Sequence, residues 1–391
     1  MRVPARSLNI PAPSRLKIPF SEPSLGAQEA RAVLRALRTS RIVGNGVLAK
    51  RCQEHLCRLT GAKHALLTPN ATQAFELFLH TTSIGPGDEV VIPSFSFVSM
   101  ANAVVSRGAR PVFCDVERET LGLDPQSVAE VLSPRTKLVL AVHYAGQACD
   151  MDGLSAVCEP RGVPIFEDAA QGIGATLHGR HLGTLAHAGC LSFHATKNVV
   201  AGEGGALLMD DDTLLRKVEI AHEKGTNRSA FLRGEVDKYT WVGTGGSYVL
   251  SDLLAALLDA QLSRTDELNK RRREIWNIYQ SGTEYLETAG HVSRCKPRAD
   301  SVHNGHIFWF VANEKEFADR VLRGLKERGI GATFHYQALH ASPYAREHLG
   351  AAGQSLPVSE HATDALVRLP LSAKMNRKKA ERVLAALRAV V

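Results

Sequence analysis

The chain has 391 residues, of which 44% are hydrophobic and 22% charged, with a formal net charge of +7. Its length exceeds what one hydrophobic core usually supports, so a large unit and a smaller one are expected in a globular protein of ordinary composition. No run approaches the roughly 20 apolar residues of a membrane span, which excludes a helical membrane protein.

The positive charge favours acidic partners without choosing among them. The absence of zinc-finger spacing and of an RNA-binding aromatic motif argues against nucleic acid; a phosphorylated small molecule fits the same charge equally well, so charge alone decides nothing. Seven cysteines form an odd set without a CxxC pair. They read as scattered reduced thiols, not as a disulfide framework or a metal site.

Residues 1–17 are basic and proline-rich and lack the apolar segment of a secretory signal, so they read as a flexible extension on a cytoplasmic protein. Between Ala65 and Met209, strand-sized apolar runs alternate with helix-length stretches. The runs are HALLT, DEVVIP, ARPVFCDV, KLVLAVHYAG, VPIFEDAA, GCLSFHA and GGALLMDD. Helices are expected over Ala71 to Thr82 and Pro125 to Leu132. This rhythm predicts an α/β fold with a mostly parallel sheet covered on both faces. Ligands in such sheets bind beyond the carboxyl ends of the strands. The stretches to inspect are therefore Pro69–Thr72, Pro93–Phe97, His143–Gly146, Asp168–Gln171 and Ser192–Asn198.

HGRH, His178 to His181, lacks an HExxH-type partner and reads as a polar surface turn, so no metal is expected. After Ser251 a helical stretch leads away from the sheet, and its basic run Lys270–Arg273 reads as a solvated face. HIFWFVA, EFADRVLRGLKERG and GATFHY then read as strand, helix and strand, closed by a helix from Arg377. The expected organisation is a large unit over 18–265 and a small C-terminal α/β unit over 266–391.

Among the strand ends, Lys197 and Asp168 stand out as a pair. A lone lysine after a strand is usually a surface charge, and an aspartate before Ala169 could equally cap a helix. Together they match a pyridoxal-phosphate site, where a lysine amine forms a Schiff base with the aldehyde and an aspartate pairs with the pyridinium nitrogen. The turn from strand to helix in LLTPNATQAFELF frees backbone N–H groups near Ala71 and Thr72 for a phosphate, and Ser192 can add a hydroxyl. Phe97, alternating with Phe95, offers a face for a flat ring.

These segments resemble the DegT-type sugar aminotransferases, which share the fold-type I architecture of aspartate aminotransferase. The resemblance runs from about Ile18 to the C-terminus. It implies that Lys197 of SFHATKN carries the cofactor, that Asp168 of EDAAQ meets the ring nitrogen, and that Gln171 lies near the ring oxygen. It places the phosphate with Ser192, Thr72 and Ala71 and stacks Phe97 on the ring. Most members carry an asparagine that reaches the neighbouring subunit's phosphate; Ser247 of GGSYVL stands at that position here. The resemblance therefore implies a homodimer with shared sites.

Within the family, EKGTNRSAFLRGEVDKYTW (Glu223 to Trp241), VHYAG, NGHIFWF and FHYQALH resemble members acting on one nucleotide sugar. Those members transfer the amino group of L-glutamate to C4 of dTDP-4-dehydro-6-deoxy-D-glucose. By that resemblance Arg228, His335 and Tyr336 contact substrate. An aminotransferase for a UDP-linked or C3-keto sugar, and a non-catalytic regulator on the same fold, stay open at this point.

Overall fold

The computed structural model describes residues 17–39 and 42–391. Apart from Lys17, the expected N-terminal extension lies outside the described residues.

All seven apolar runs form strands of one sheet: β1 (His64–Thr68), β2 (Glu89–Pro93), β3 (Arg110–Cys114), β4 (Thr136–Val142), β5 (Ile165–Asp168), β6 (Ala188–Ser192) and β7 (Gly205–Met209). Their spatial order is β1-β7-β6-β5-β4-β2-β3. The pairings β3 with β2, β2 with β4, β4 with β5 and β5 with β6 are parallel. Only β7 is reversed in this sheet, lying antiparallel to both β1 and β6.

Helices cover both faces because the strands are apolar on both. Along β4, Val139 and Ala141 join one core while Leu138, Leu140 and Val142 join the other, as a period of two requires. The first core is closed by α2 (Val47–Thr60), with α1 (Ala27–Thr39) outside it, and the second by α3 (Ala71–Thr81) and α4 (Val98–Ser106). Pro125 opens α5 (Pro125–Val131) at its first turn, where a missing N–H costs nothing. The chain continues through α6 (Asp212–His222) and α7 (Asp252–Leu262). Contrary to the expectation for SDLLAALLDAQL, α7 stays on this sheet unit, packed against α1 and α2. Its Ala255, Leu258 and Leu262 bury their side chains in the first core.

A second sheet is antiparallel, with β8 (Val292–Arg294), β9 (Phe308–Ala312) and β10 (Leu366–Leu369) in that order. It is covered by α8 (Thr265–Gly282), α9 (Lys315–Glu327) and α10 (Arg377–Arg388). In α9, Phe317, Val321 and Leu325 recur every four residues and enter the core beside Phe308 and Val383.

Three local readings are corrected by tertiary packing. GATFHY is irregular and touches the sheet through one bridge, Thr333 with Arg368, because β10 occupies the pairing edge of β9. In the basic run, Arg272 is buried on α8 and donates to the carbonyls of His306 and Leu371. His181 of HGRH is buried too: its Nε2 accepts from the N–H of Gly174 and its Nδ1 donates to the Leu182 carbonyl. His178, Gly179 and Arg180 are exposed, the first two at positive φ, so the surface-turn reading holds for the rest of HGRH. Among the described residues, no helix is long and apolar enough to cross a membrane.

Candidate active site

The carboxyl ends of β1, β4, β5 and β6 open onto one cavity of about 600 Å³. Lys197, Asp168, Gln171, Ser192, Thr72, Ala71, Phe97, His335 and Tyr336 all line it. Nine of the eleven residues singled out from the sequence thus converge, although they span positions 71 to 336 of the chain.

One wall is built for an anion. Asn70 caps α3 by accepting from the N–H of Gln73 at 2.8 Å. The N–H groups of Ala71 and Thr72 begin the helix and cannot bond within it. Among the described residues no other group accepts from them. Thr72 donates its hydroxyl to Ser99, 2.7 Å away, and Ser192 closes the same wall from β6. Helix-end dipole, two free N–H groups and three hydroxyls suit a phosphate.

The opposite charges lie deeper. Asp168 is 7% exposed at the end of β5; its Oδ1 accepts from the N–H of Ala170 at 2.9 Å, and no helix follows it. Burial pushes its pKa above the usual carboxylate value, against the lowering effects of the Ala170 N–H and the Lys197 charge. Lys197 is half-buried on the loop after β6, and burial lowers its pKa, with the Asp168 charge opposing. Each thereby supports the other's charged form. Behind Asp168, His143 accepts at Nδ1 from the N–H of Cys149, so its proton lies on Nε2 and is donated to Glu167 at 2.8 Å. Glu167 is itself held by the N–H groups of Gly183, Leu185 and Ala186.

The remaining walls are aromatic. Phe95 is fully buried, whereas Phe97 is 57% exposed at the cavity, and both rings meet Tyr336, at 5.6 and 6.1 Å between centroids. Gln171 is fixed from both ends: Oε1 accepts from the N–H of Ala145, and Nε2 donates to the Tyr336 hydroxyl. That first bond holds Ala145 at φ 58, a conformation that disfavours a side chain. His335 pairs with the Tyr144 hydroxyl at 2.9 Å, and its pKa falls to about 2 through burial and the charges of Arg368 and Lys197.

Two sequence-predicted residues stand apart from this cavity within the chain. Arg228 pairs with Glu223 at 3.1 Å, and Ser247 forms a backbone bridge with the same Glu223. Conversely, Ser99, His306 and Arg368 line the cavity without having been singled out, and His143 lines it from one of the strand-end stretches named above. Ser99 lies two residues beyond the stretch Pro93–Phe97 and could have been found by extending that rule into the helix that follows. Arg368 could not, since its strand is four residues long and abuts a helix.

A lysine amine for an aldehyde, a buried carboxylate for a ring nitrogen, an exposed aromatic face and an anion cradle occupy one cavity. These residues fit pyridoxal phosphate. The TlmJ aminotransferase of Streptoalloteichus hindustanus has a similar structure, with 32% identity and TM-score 0.86 over 95% of this chain and 98% of that one. DesV of S. venezuelae is similar at 29% identity and TM-score 0.87, with the same coverage. An aminotransferase of Psychrobacter cryohalolentis matches over the same shares at 27% identity and TM-score 0.89. The fold is that of fold-type I enzymes. Residues 23–388 match the DegT/DnrJ/EryC1/StrS aminotransferase family, and the chain belongs to that family of pyridoxal-phosphate-dependent aminotransferases.

Proposed function

We propose that this sugar aminotransferase moves the amino group of L-glutamate to C4 of dTDP-4-dehydro-6-deoxy-D-glucose, giving dTDP-4-amino-4,6-dideoxy-D-galactose. The observation carrying this reading is that three segments resembling enzymes of that reaction contribute to the cavity of Lys197. VHYAG supplies His143, NGHIFWF supplies His306 and Ile307, and FHYQALH supplies Phe334, His335 and Tyr336.

In this reading Lys197 carries the cofactor and moves the proton at the reacting carbon. Asp168 faces the ring nitrogen, Gln171 the ring oxygen and Phe97 the ring face. Ala71, Thr72 and Ser192 hold the phosphate. When bound, the cofactor supplies an electron sink for the charge left by a departing proton. The lowered pKa of Lys197 raises the share of free amine at neutral pH, which is the form that acts as nucleophile and base. His335 and Tyr336 contact the sugar. Arg228 and Ser247 act across a homodimer interface.

Incubating the protein with 15N-labelled L-glutamate and the dTDP keto sugar, then identifying the product by NMR, tests the reading. Label at C4 in the galacto configuration is expected. Label only with a UDP-linked or C3-keto sugar would assign a different substrate.

A further inference from the structure

One histidine presents a bare nitrogen to the cavity. His306, two residues before β9, lines the cavity and is 9% exposed. It is fixed at three points: its N–H donates to Asn304 Oδ1 at 3.0 Å, its carbonyl accepts from Arg272 Nη1 at 3.2 Å, and its Nδ1 pairs with Asn198 Oδ1 at 2.8 Å. Among the described residues its Nε2 makes no hydrogen bond, yet this atom is not sealed from solvent. It therefore faces the open cavity.

The partners decide which ring nitrogen carries the proton. Asn198 donates Nδ2 to the backbone carbonyl of Asn304 at 3.1 Å and to Asn269 Oδ1 at 2.8 Å, and Asn269 donates its own Nδ2 to the Ile173 carbonyl at 2.9 Å. A carbonyl can only accept, so both amides are fixed in orientation and Asn198 presents an oxygen to His306. Nδ1 must then donate, and Nε2 keeps a lone pair. Burial and the charges of Lys197 and Arg272 hold the imidazole pKa well below its ordinary value, so the ring stays neutral at neutral pH.

A lone pair in this position selects between the substrates of the reaction. The amine of an amino-acid donor bonds to the cofactor, and the donor's remaining polar groups are carboxylates, which a lone pair repels. A keto sugar brings hydroxyls, which can donate to it. We propose that His306 Nε2 accepts a hydrogen bond from a ring hydroxyl of the keto sugar and so sets specificity in the half of the reaction that consumes the sugar. The inference rests on the reading of a keto sugar as amino acceptor. A site built to pair with a hydroxyl discriminates against an analogue lacking it, because its own polar group is then left unpaired.

The test separates the two half-reactions. His306→Asn keeps an amide N–H near the Nδ1 position for Asn198 and removes the acceptor at Nε2. In this variant the conversion of the cofactor band by L-glutamate without sugar, followed by stopped-flow absorbance, should stay within twofold of wild type, which also shows that the protein is folded and loaded. Its kcat/KM for the nucleotide keto sugar that the wild type aminates should fall at least tenfold. Analogues of that sugar, each lacking one ring hydroxyl, complete the comparison. One of them should lose a similar factor with wild type and lose nothing further with His306→Asn. An unchanged sugar kcat/KM in His306→Asn would overturn the proposal. So would an equal loss in both half-reactions, which would make His306 a support for Lys197, or additive losses with every analogue, which would leave the nitrogen without a hydroxyl partner. Product analysis with wild type alone identifies donor and sugar, so a wrong substrate and a wrong histidine give different results.

Discussion

At the level of single residues, the site depends on a buried carboxylate and a half-buried amine whose pKa values move toward each other. Burial lowers Lys197 below the ordinary lysine value, and the Asp168 charge limits the shift. The amine reacts with an aldehyde only when unprotonated, so the rate at which apoprotein captures pyridoxal phosphate should rise with pH and level off below the ordinary lysine pKa. Asp168→Asn removes the charge that raises the lysine pKa, so its profile should shift to lower pH. Stopped-flow absorbance on both proteins measures this, and a shift to higher pH would contradict the assigned coupling. Asp168→Asn should keep its cofactor yet lose most of its turnover, a hundredfold or more, corresponding to roughly 2.7 kcal/mol of transition-state stabilisation. Lys197→Ala should lose both the visible band and turnover. Lysine and aspartate were legible because their chemistry demands those residue types at strand ends. Arg368 was not, since an arginine inside a short strand looks like a surface charge until the tertiary structure turns it toward a cavity.

At the level of elements, the apolar runs foretold all seven strands of the main sheet, because a strand buried on both faces has no polar face to disguise it. The second sheet was half legible: β9 announced itself as FWFVA, while β10 is too short to show a pattern. What no pattern reveals is how strand register shapes the anion cradle. Gly205 at the start of β7 pairs with Thr68 on one side and Ser192 on the other. A Cβ there would lie 2.3 Å from the carbonyl carbon of Asn70 and 2.5 Å from the nitrogen of Ala71. Both are backbone atoms, so the turn opening α3 must shift to admit it. Gly205→Ala should therefore weaken cofactor affinity at least tenfold, about 1.4 kcal/mol, alongside an overpacking cost of about 1–3 kcal/mol in stability. Equilibrium dialysis against pyridoxal phosphate and thermal unfolding measure the two effects. A variant with lowered melting temperature and unchanged cofactor affinity would show that the contact is structural only.

At the level of the whole molecule, the segment from Arg228 to Ser247 has the chemistry of a surface awaiting a second copy. Trp241 is 79% exposed, and Leu232, Tyr239 and Val242 are exposed with it. Val43 and Val47 extend the apolar surface, since Asn45 between them donates to Glu223, the residue bridged by Ser247. Exposed apolar residues gathered in this way mark an interaction surface. We propose a twofold dimer in which this segment reaches the phosphate wall of the neighbouring copy. Folding, cofactor binding and association are then linked, because a ligand bound only by the dimer stabilises it by mass action. The sequence exposed this arrangement only through resemblance, because an interface between copies leaves no periodicity in one chain. Mixing two inactive proteins, Lys197→Ala and Ser247→Trp, under subunit exchange tests it. In a hybrid dimer one site collects both lesions and the other collects neither. Random exchange makes half the dimers hybrid, so activity should recover to about a quarter of the wild-type value. Proven exchange without recovery, or full activity in a monomer at sedimentation equilibrium, would confine each active site to a single chain.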